Sequence, residues 1–254
     1  MSDPRHDSPF AASDIGAAFS LLTRLPVSVD HALAGQRAAE AVWAYPLAGA
    51  ILGALAGIVG GLAQALGAPV GISAALALAT LVLGTGAMHE DGLADCADGL
   101  GGGRDRQNRL QIMHDSRIGA YGATALGLAL IARWSGIAGL MSAQHLFWPM
   151  VAIGAVSRLP MVLALFLIQP ARRDGLSASL GIPPPPSVAG ALALATLIGL
   201  FAVGWSVFPL LLWGLLAPLP LFWLAGRRLG GQTGDVLGAS QQLAEIAALA
   251  VMSA

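Results

Sequence analysis

Lysine is absent from this chain of 254 residues, which excludes a lysine Schiff base and a lysine nucleophile. Every formal cation apart from histidine is therefore one of 13 arginines, the better fork for phosphate oxygens. Cysteine occurs once, at Cys96, so there is no internal disulfide and no cysteine-built zinc cluster; a packing role suits this residue. Charge is scarce at 11% of residues, less than half the roughly 25% of soluble domains. The net charge of −1 says little about partners, and no nucleic-acid partner is expected.

Apolar sequence fills the space that charge leaves. Hydrophobic residues make up 56% of the chain. They run in blocks near 42–66, 71–88, 119–140, 147–168, 188–206, 209–225 and 241–254. A bilayer crossing takes about 20 such residues. The pattern predicts an all-α, polytopic membrane helix bundle of six to seven transmembrane helices. It forms one membrane-embedded domain over 1–254, with a flexible tail at 1–13. The last block is short and holds Glu245, so partial insertion is expected there. Gly49, Gly53 and Gly57 repeat every fourth residue and predict a helix-packing seam. Trp43, Tyr45, Trp148 and Trp223 lie near block ends, where interfacial anchors belong. A homo-oligomer is compatible with this pattern.

The connections alternate in charge. Arg24 and Arg37 precede the first block, and Arg104, Arg106, Arg109 and Arg117 follow the second. Arg172 and Arg173 follow the fourth, and Arg227 and Arg228 the sixth. The intervening turns carry no arginine. The positive-inside rule then places the amino terminus and all Arg-bearing loops in the cytoplasm. The polar segment 89–118 and the segment around Asp235 share that side, as one active site requires.

The densest polar feature is His89-Glu-Asp-Gly-Leu-Ala-Asp-Cys-Ala-Asp98. Asp91, Asp95 and Asp98 sit at i, i+4 and i+7, so a helix would point all three from one face. Clustered carboxylates repel unless a cation separates them, and beside a bilayer they are functional by default. Hard oxygen ligands suit Mg²⁺ or Mn²⁺ completed by a substrate phosphate. The alternative is a solvated acidic turn. The glycines of 99–103 should end the helix and bring backbone amides to an anion. Arg104, Arg106 and Arg109 follow as a diphosphate clamp or as topological charges. In His114-Asp115-Ser116-Arg117, Asp115 is a further metal ligand or a partner of Arg117, and Ser116 and Arg117 are candidate substrate contacts. His89 and His114 are candidate general bases.

A second constellation is Gly230-Gly-Gln-Thr-Gly-Asp235-Val-Leu-Gly238. Its glycines suggest backbone close to a ligand, with Gln232, Thr233 and Asp235 as hydrogen-bonding groups. Alternatively Thr233 or Asp235 caps the last helix. Arg133 and Arg158 fall inside apolar blocks and need a polar cavity or a carboxylate partner.

Five motifs carry a resemblance: Phe19–Val27, Tyr45–Gly49, His89–Gly99, Ile112–Gly119 and Gly230–Ala239. In order along the chain, they resemble the adenosylcobinamide-GDP ribazoletransferases, the cobalamin (5′-phosphate) synthases. The resemblance implies a Mg²⁺-dependent transferase in the inner (cytoplasmic) membrane. It would join adenosylcobinamide-GDP to α-ribazole or its 5′-phosphate and release GMP. Glu90 stands where leucine is common in that family, and His114 where lysine or arginine is common. Phosphatidyltransferases of the CDP-alcohol type also use an Asp-rich helix, but their Asp-Gly-x-x-Ala-Arg order fails here, because Asp95 follows Ala94. A cation-coupled transporter would put its carboxylates at mid-membrane rather than in one loop.

Overall fold

The computed structural model describes residues 9–142 and 145–254. Among the described residues the chain is helical, with a single isolated β-bridge between Pro170 and Gln232. An amino-terminal arm holds α1 (Ala12–Leu22) and α2 (His31–Gln36), followed by a 3₁₀ turn at Glu40–Ala44. The bundle proper contains α3 (Tyr45–Ala65), α4 (Val70–Thr85), α5 (Met88–Gly102), the short α6 (Arg106–Ile112) and α7 (Ala120–Ser142). It continues with α8 (Phe147–Val156), α9 (Leu159–Leu167), the short α10 (Leu176–Leu180) and α11 (Pro185–Val203). The chain closes with α12 (Val207–Leu216), α13 (Leu219–Arg228) and α14 (Gly234–Ser253).

Five helical stretches are long and apolar enough to cross a membrane, six if the bent α4–α5 pair counts as one. The stretch Pro185–Arg228 is 44 residues long, about twice what one crossing needs, and it breaks at Gly204. The fold is thus the expected all-α polytopic bundle. The last helix begins at Gly234 rather than 241, so at 20 residues it has full crossing length despite Glu245.

Close backbone approach organises the bundle, as small residues permit where lipid offers no hydrophobic drive between helices. A Cβ on Gly49 would lie 2.0 Å from the Gly154 carbonyl oxygen, and one on Gly53 2.0 Å from that of Met150. The glycine seam of α3 therefore seats against α8. Together α8 and α9 form the most buried candidate span, at 83%.

The expected tail at 1–13 ends earlier than its bounds; residues 1–8 lie outside the described residues, and α1 already starts at Ala12. Phe10 meets Trp43 edge-on with ring centroids 5.7 Å apart. Asp14 at the start of α1 is fully buried and receives the Arg37 guanidinium at 2.7 Å and the Trp43 indole N–H at 2.9 Å. Trp43 and Tyr45 thus turn inward rather than serving as interfacial anchors, whereas Trp148 and Trp223 are exposed as expected.

Between α4 and α5 the axis turns by 85°. Gly86 and Ala87 make the turn in the left-handed region, at φ 65° and 59°. The acidic run is helical, as its spacing predicts. The helix does not stop at the glycines, however: α5 continues to Gly102. A Cβ on Gly99 would strike Met113, and one on Gly101 would strike the Tyr121 ring. Packing against α6 and α7 overrides the low intrinsic propensity of glycine.

Candidate active site at the crossing of two helices

Helices α5 and α14 cross where each carries a glycine. A Cβ on Gly92 would lie 2.8 Å from the Asp235 carbonyl oxygen, and one on Gly238 3.2 Å from the His89 Cα. The two polar constellations, far apart in sequence, therefore meet backbone to backbone. Asp95 has Asp91, Asp98, Asp235 and Arg172 as its electrostatic neighbours. Arg172, from the α9–α10 connection, places Nη2 3.4 Å from Asp235 Oδ2. Asp91 is exposed, and the Asp235 side chain keeps 21% of its surface. His114, exposed, also lies within electrostatic reach of Asp235. Sequence reading used Arg172 only for topology; no local spacing marked it as a site residue.

The segment before Asp235 folds for packing. Gly231, at φ 159°, lets the chain lie against Gln169–Ala171, where a Cβ would sit 2.1 Å from the Gln169 carbonyl oxygen. The Gln232 N–H donates to Gln169 O at 2.9 Å, and the Ala171 N–H donates to Gln232 O at 2.7 Å. Gly231 thus serves a chain–chain contact, and Gly230, at φ 79°, faces the Arg106 side chain. Thr233 caps α14, its Oγ1 accepting the Val236 N–H at 3.3 Å and donating to Asp235 Oδ2 at 3.2 Å. The cap is Thr233, which leaves the Asp235 carboxylate facing Arg172. Gln232 is buried, and its Oε1 has no hydrogen-bond partner.

Several expected site residues are engaged elsewhere. Asp98 accepts from the Gly119 N–H at 2.7 Å and the Gly122 N–H at 2.9 Å, capping the start of α7 with both oxygens. Both of its oxygens are thus already engaged, although it remains an electrostatic neighbour of Asp95. Asp115 pairs with Arg117 at 2.6 Å on the surface, and the Arg117 hydrogen bonds hold its carboxyl down to about 2. Arg106 donates from Nε to Leu229 O at 2.7 Å and from Nη2 to Ala171 O, and so clasps two loops. Arg109 packs against Gly99 and Gly103 with a buried, unpartnered Nε. Arg104 and Ser116 are exposed.

Beneath the crossing lies a buried ionic network. Arg133 reaches Glu90 at 2.6 Å, Glu245 at 2.8 Å and Gln242 Oε1 at 2.9 Å. Arg158 lies 3.8 Å from Glu245 Oε2, and the Gln241 amide donates to that same oxygen at 2.6 Å. The two intramembrane arginines and the carboxylates Glu90 and Glu245 balance in charge, which is the condition for holding ions in a medium of low dielectric. Sequence reading required a polar cavity or a carboxylate partner for each arginine but did not find these pairs.

A cavity of about 140 Å³ opens beside Asp91, Arg172 and Asp235 and runs inward past His89 and Tyr45. Among the described residues, no three His, Cys, Asp or Glu side chains form a ready metal cage. The chemistry of Asp91, Asp95 and Asp235 nonetheless fits a hard cation. They are oxygen donors with Arg172 as counter-charge, and Mg²⁺ takes most of its shell from water and phosphate rather than from protein.

These features define a polytopic membrane protein with an anionic site built where two helices cross at one end of the bundle. Residues 14–253 match the family profile described as cobalamin-5-phosphate synthase. The chain is 45% identical over 244 residues to an adenosylcobinamide-GDP ribazoletransferase of Bradyrhizobium diazoefficiens, covering 95% of this chain and 94% of that one. It is 43% identical over 241 residues to a protein of the same name from Mesorhizobium japonicum, covering 94% and 92%. A third such relative, from Azorhizobium caulinodans, is 43% identical over 93% of this chain and 94% of its own. The chain belongs to the cobalamin-5-phosphate synthase family. No solved structure matches it. The phosphatidyltransferase and transporter alternatives gain no support from these relatives.

Proposed function

We propose that this protein is a transferase of cobalamin assembly that joins adenosylcobinamide-GDP to α-ribazole or its 5′-phosphate and releases GMP. It works from the cytoplasmic side of the inner membrane, with its amino terminus on that side. The names of its relatives support the reaction. The observation that carries the site is the convergence of Asp91, Asp95 and Asp235 with Arg172 at the α5–α14 crossing.

In the reaction a ribazole hydroxyl attacks the phosphorus attached to cobinamide. A new P–O bond forms, the P–O bond to GMP breaks, and the proton of the hydroxyl passes through the Asp235 carboxylate to water. Phosphoryl transfer depends on in-line positioning and charge stabilisation more than on covalent catalysis. Mg²⁺ held by Asp91, Asp95 and Asp235 would neutralise charge on the diphosphate oxygens. Arg172, 24% exposed, binds a diphosphate oxygen, and Arg104 stays available at the surface beyond α5 for another. Asp235 accepts the hydrogen bond of the attacking hydroxyl and orients it. The apolar walls of the cavity exclude water as a competing nucleophile.

The test is incubation of purified protein in detergent with adenosylcobinamide-GDP, α-ribazole and Mg²⁺, followed by mass spectrometry. Adenosylcobalamin and GMP in equal amounts are the expected products. Absence of both, or their undiminished formation in excess chelator, contradicts the reaction or its metal, respectively.

A further inference from the structure

The cavity that opens beside Asp91 and Arg172 has two kinds of wall. Most of its lining is aliphatic, including Leu21, Leu22, Met161, Leu180 and Leu237. Inside the charged mouth, Ser177 is a polar exception, and two further wall residues stand out. Tyr45 and His89 are each 1% exposed, and the Tyr45 hydroxyl and His89 Nε2 have no hydrogen-bond partner. A buried tyrosine hydroxyl usually finds a partner, and leaving one unmade costs about 1–3 kcal/mol. Both residues line this cavity, Tyr45 also lining a second one against α1 and α2, so a ligand here would have two unpartnered polar groups beside it and a small side-chain shift would bring either into contact.

The dimensions and chemistry of the cavity narrow the choice. An apolar cavity of about 150 Å³ takes up a benzene-sized ring. This one, of about 140 Å³, also opens at the Asp91–Arg172 end, so a fused two-ring base can enter ring first and leave its sugar at the mouth. Guanine is a poor fit, because its edge carries several donors and acceptors and the aliphatic wall would strand most of them. An acyl chain would leave both orphaned atoms unmatched. A methylated benzimidazole carries apolar edges and, once glycosylated, a single free ring nitrogen that accepts one hydrogen bond.

We propose that this cavity binds the dimethylbenzimidazole base of α-ribazole, with the Tyr45 hydroxyl donating to its free ring nitrogen and His89 beside it. The inference rests on the functional reading above and adds to it the site of the second substrate. The base fixes the nucleoside so that its ribose hydroxyls reach the mouth, where Asp91, Asp235 and Arg172 stand. Tyr45 is chosen as the donor because a phenol O–H donates without regard to tautomer, whereas the proton position on His89 is a matter of assignment.

Steady-state kinetics and direct titration of α-ribazole into the detergent-solubilised protein test this on two variants. Tyr45→Phe should raise both KM and Kd for α-ribazole about 3- to 10-fold, the worth of one neutral hydrogen bond. It should leave KM for adenosylcobinamide-GDP within about 2-fold, and the thermal midpoint unchanged or higher, because the deleted hydroxyl has no protein partner. Leu176→Trp overfills the rim at a half-exposed position and should raise KM for α-ribazole at least ~5-fold. Product formation with α-ribazole constants unmoved in both variants overturns the inference and leaves the function standing. A rise confined to KM for adenosylcobinamide-GDP gives the cavity to the other substrate and also overturns it. Absence of both product formation and α-ribazole binding in the unaltered protein overturns the function and the inference together.

Discussion

Glu90 and Arg133 form a 2.6 Å ion pair in the interior, while the next residue, Asp91, is exposed at the cavity mouth. Successive residues on a helix diverge by about 100°, so a bond that fixes one fixes the heading of the other. The network thereby sets the rotation of α5 and, with it, the direction of Asp91. Glu90 is thus a positioning group.

Arg133→Met should destabilise the protein by about 3–5 kcal/mol, the usual result of stranding buried charges. Two carboxylates, Glu90 and Glu245, lose their main partner at once. Adding Glu245→Gln to Arg133→Met should restore part of the loss. Thermal unfolding in detergent, followed by circular dichroism, measures both; equal midpoints for the wild type and Arg133→Met would contradict the role given to the network.

Asp235→Asn should fold normally, because Thr233 provides the α14 cap. Its turnover should fall by at least ~10²-fold, as for other lost electrostatic stabilisers. A stable, fully active variant would remove Asp235 from the chemistry.

Asp95→Asn and Asp98→Asn should part company. Asp95→Asn should lose ~10² in turnover with little change in stability. Asp98→Asn should instead cost about 0.5–2 kcal/mol through the weakened start of α7, with turnover per folded molecule within a few-fold of normal. A raised Mg²⁺ requirement in Asp98→Asn would return that residue to the ligand set.

Gly92→Ala should cut turnover at least tenfold, because its methyl meets backbone at 2.8 Å and must push α5 and α14 apart. Gly102→Ala, with open space around it, serves as the control and should be nearly neutral. Identical kinetics in the two variants would mean that the crossing distance is not critical.

Acid should loosen the amino-terminal arm. Burial pushes the Asp14 carboxyl up, but hydrogen bonds from Arg37, Trp43 and the Ala11 amide outweigh it and hold the carboxyl below its usual value. A carboxyl depressed by folding contributes stability above its unfolded value, near pH 4, and loses it as pH falls through the folded value. Asp14→Asn should flatten that acid limb of a thermal stability–pH profile. An unchanged limb would assign it to other carboxylates.

The helical heading of Asp91 and Asp95 was legible from their i, i+4 spacing, and crossing-length helices from block lengths. The fate of Asp98 was not, because it depends on where the first amides of α7 arrive. Arg106 read as a phosphate clamp, yet its partners are two backbone carbonyls that only the folded chain brings near. The glycines of 99–102 and 230–238 read as ligand-facing backbone. Many of them face other protein segments instead, a distinction that residue type alone does not make. That Arg133 needed a polar cavity or a carboxylate was evident; that Glu90 and Glu245 answered it depended on helix order around the bundle.

The charge balance of the buried network also orders events in time. Arg133 and Arg158 are synthesised before Glu245, so a nascent chain that ends short of α14 holds two cationic side chains against Glu90 alone. The bundle is therefore electrically incomplete until its final helix docks. That docking also delivers Asp235 to α5. Closure of the core and completion of the site are one step, and a truncated product is marked as unfinished by its own unpaired charge.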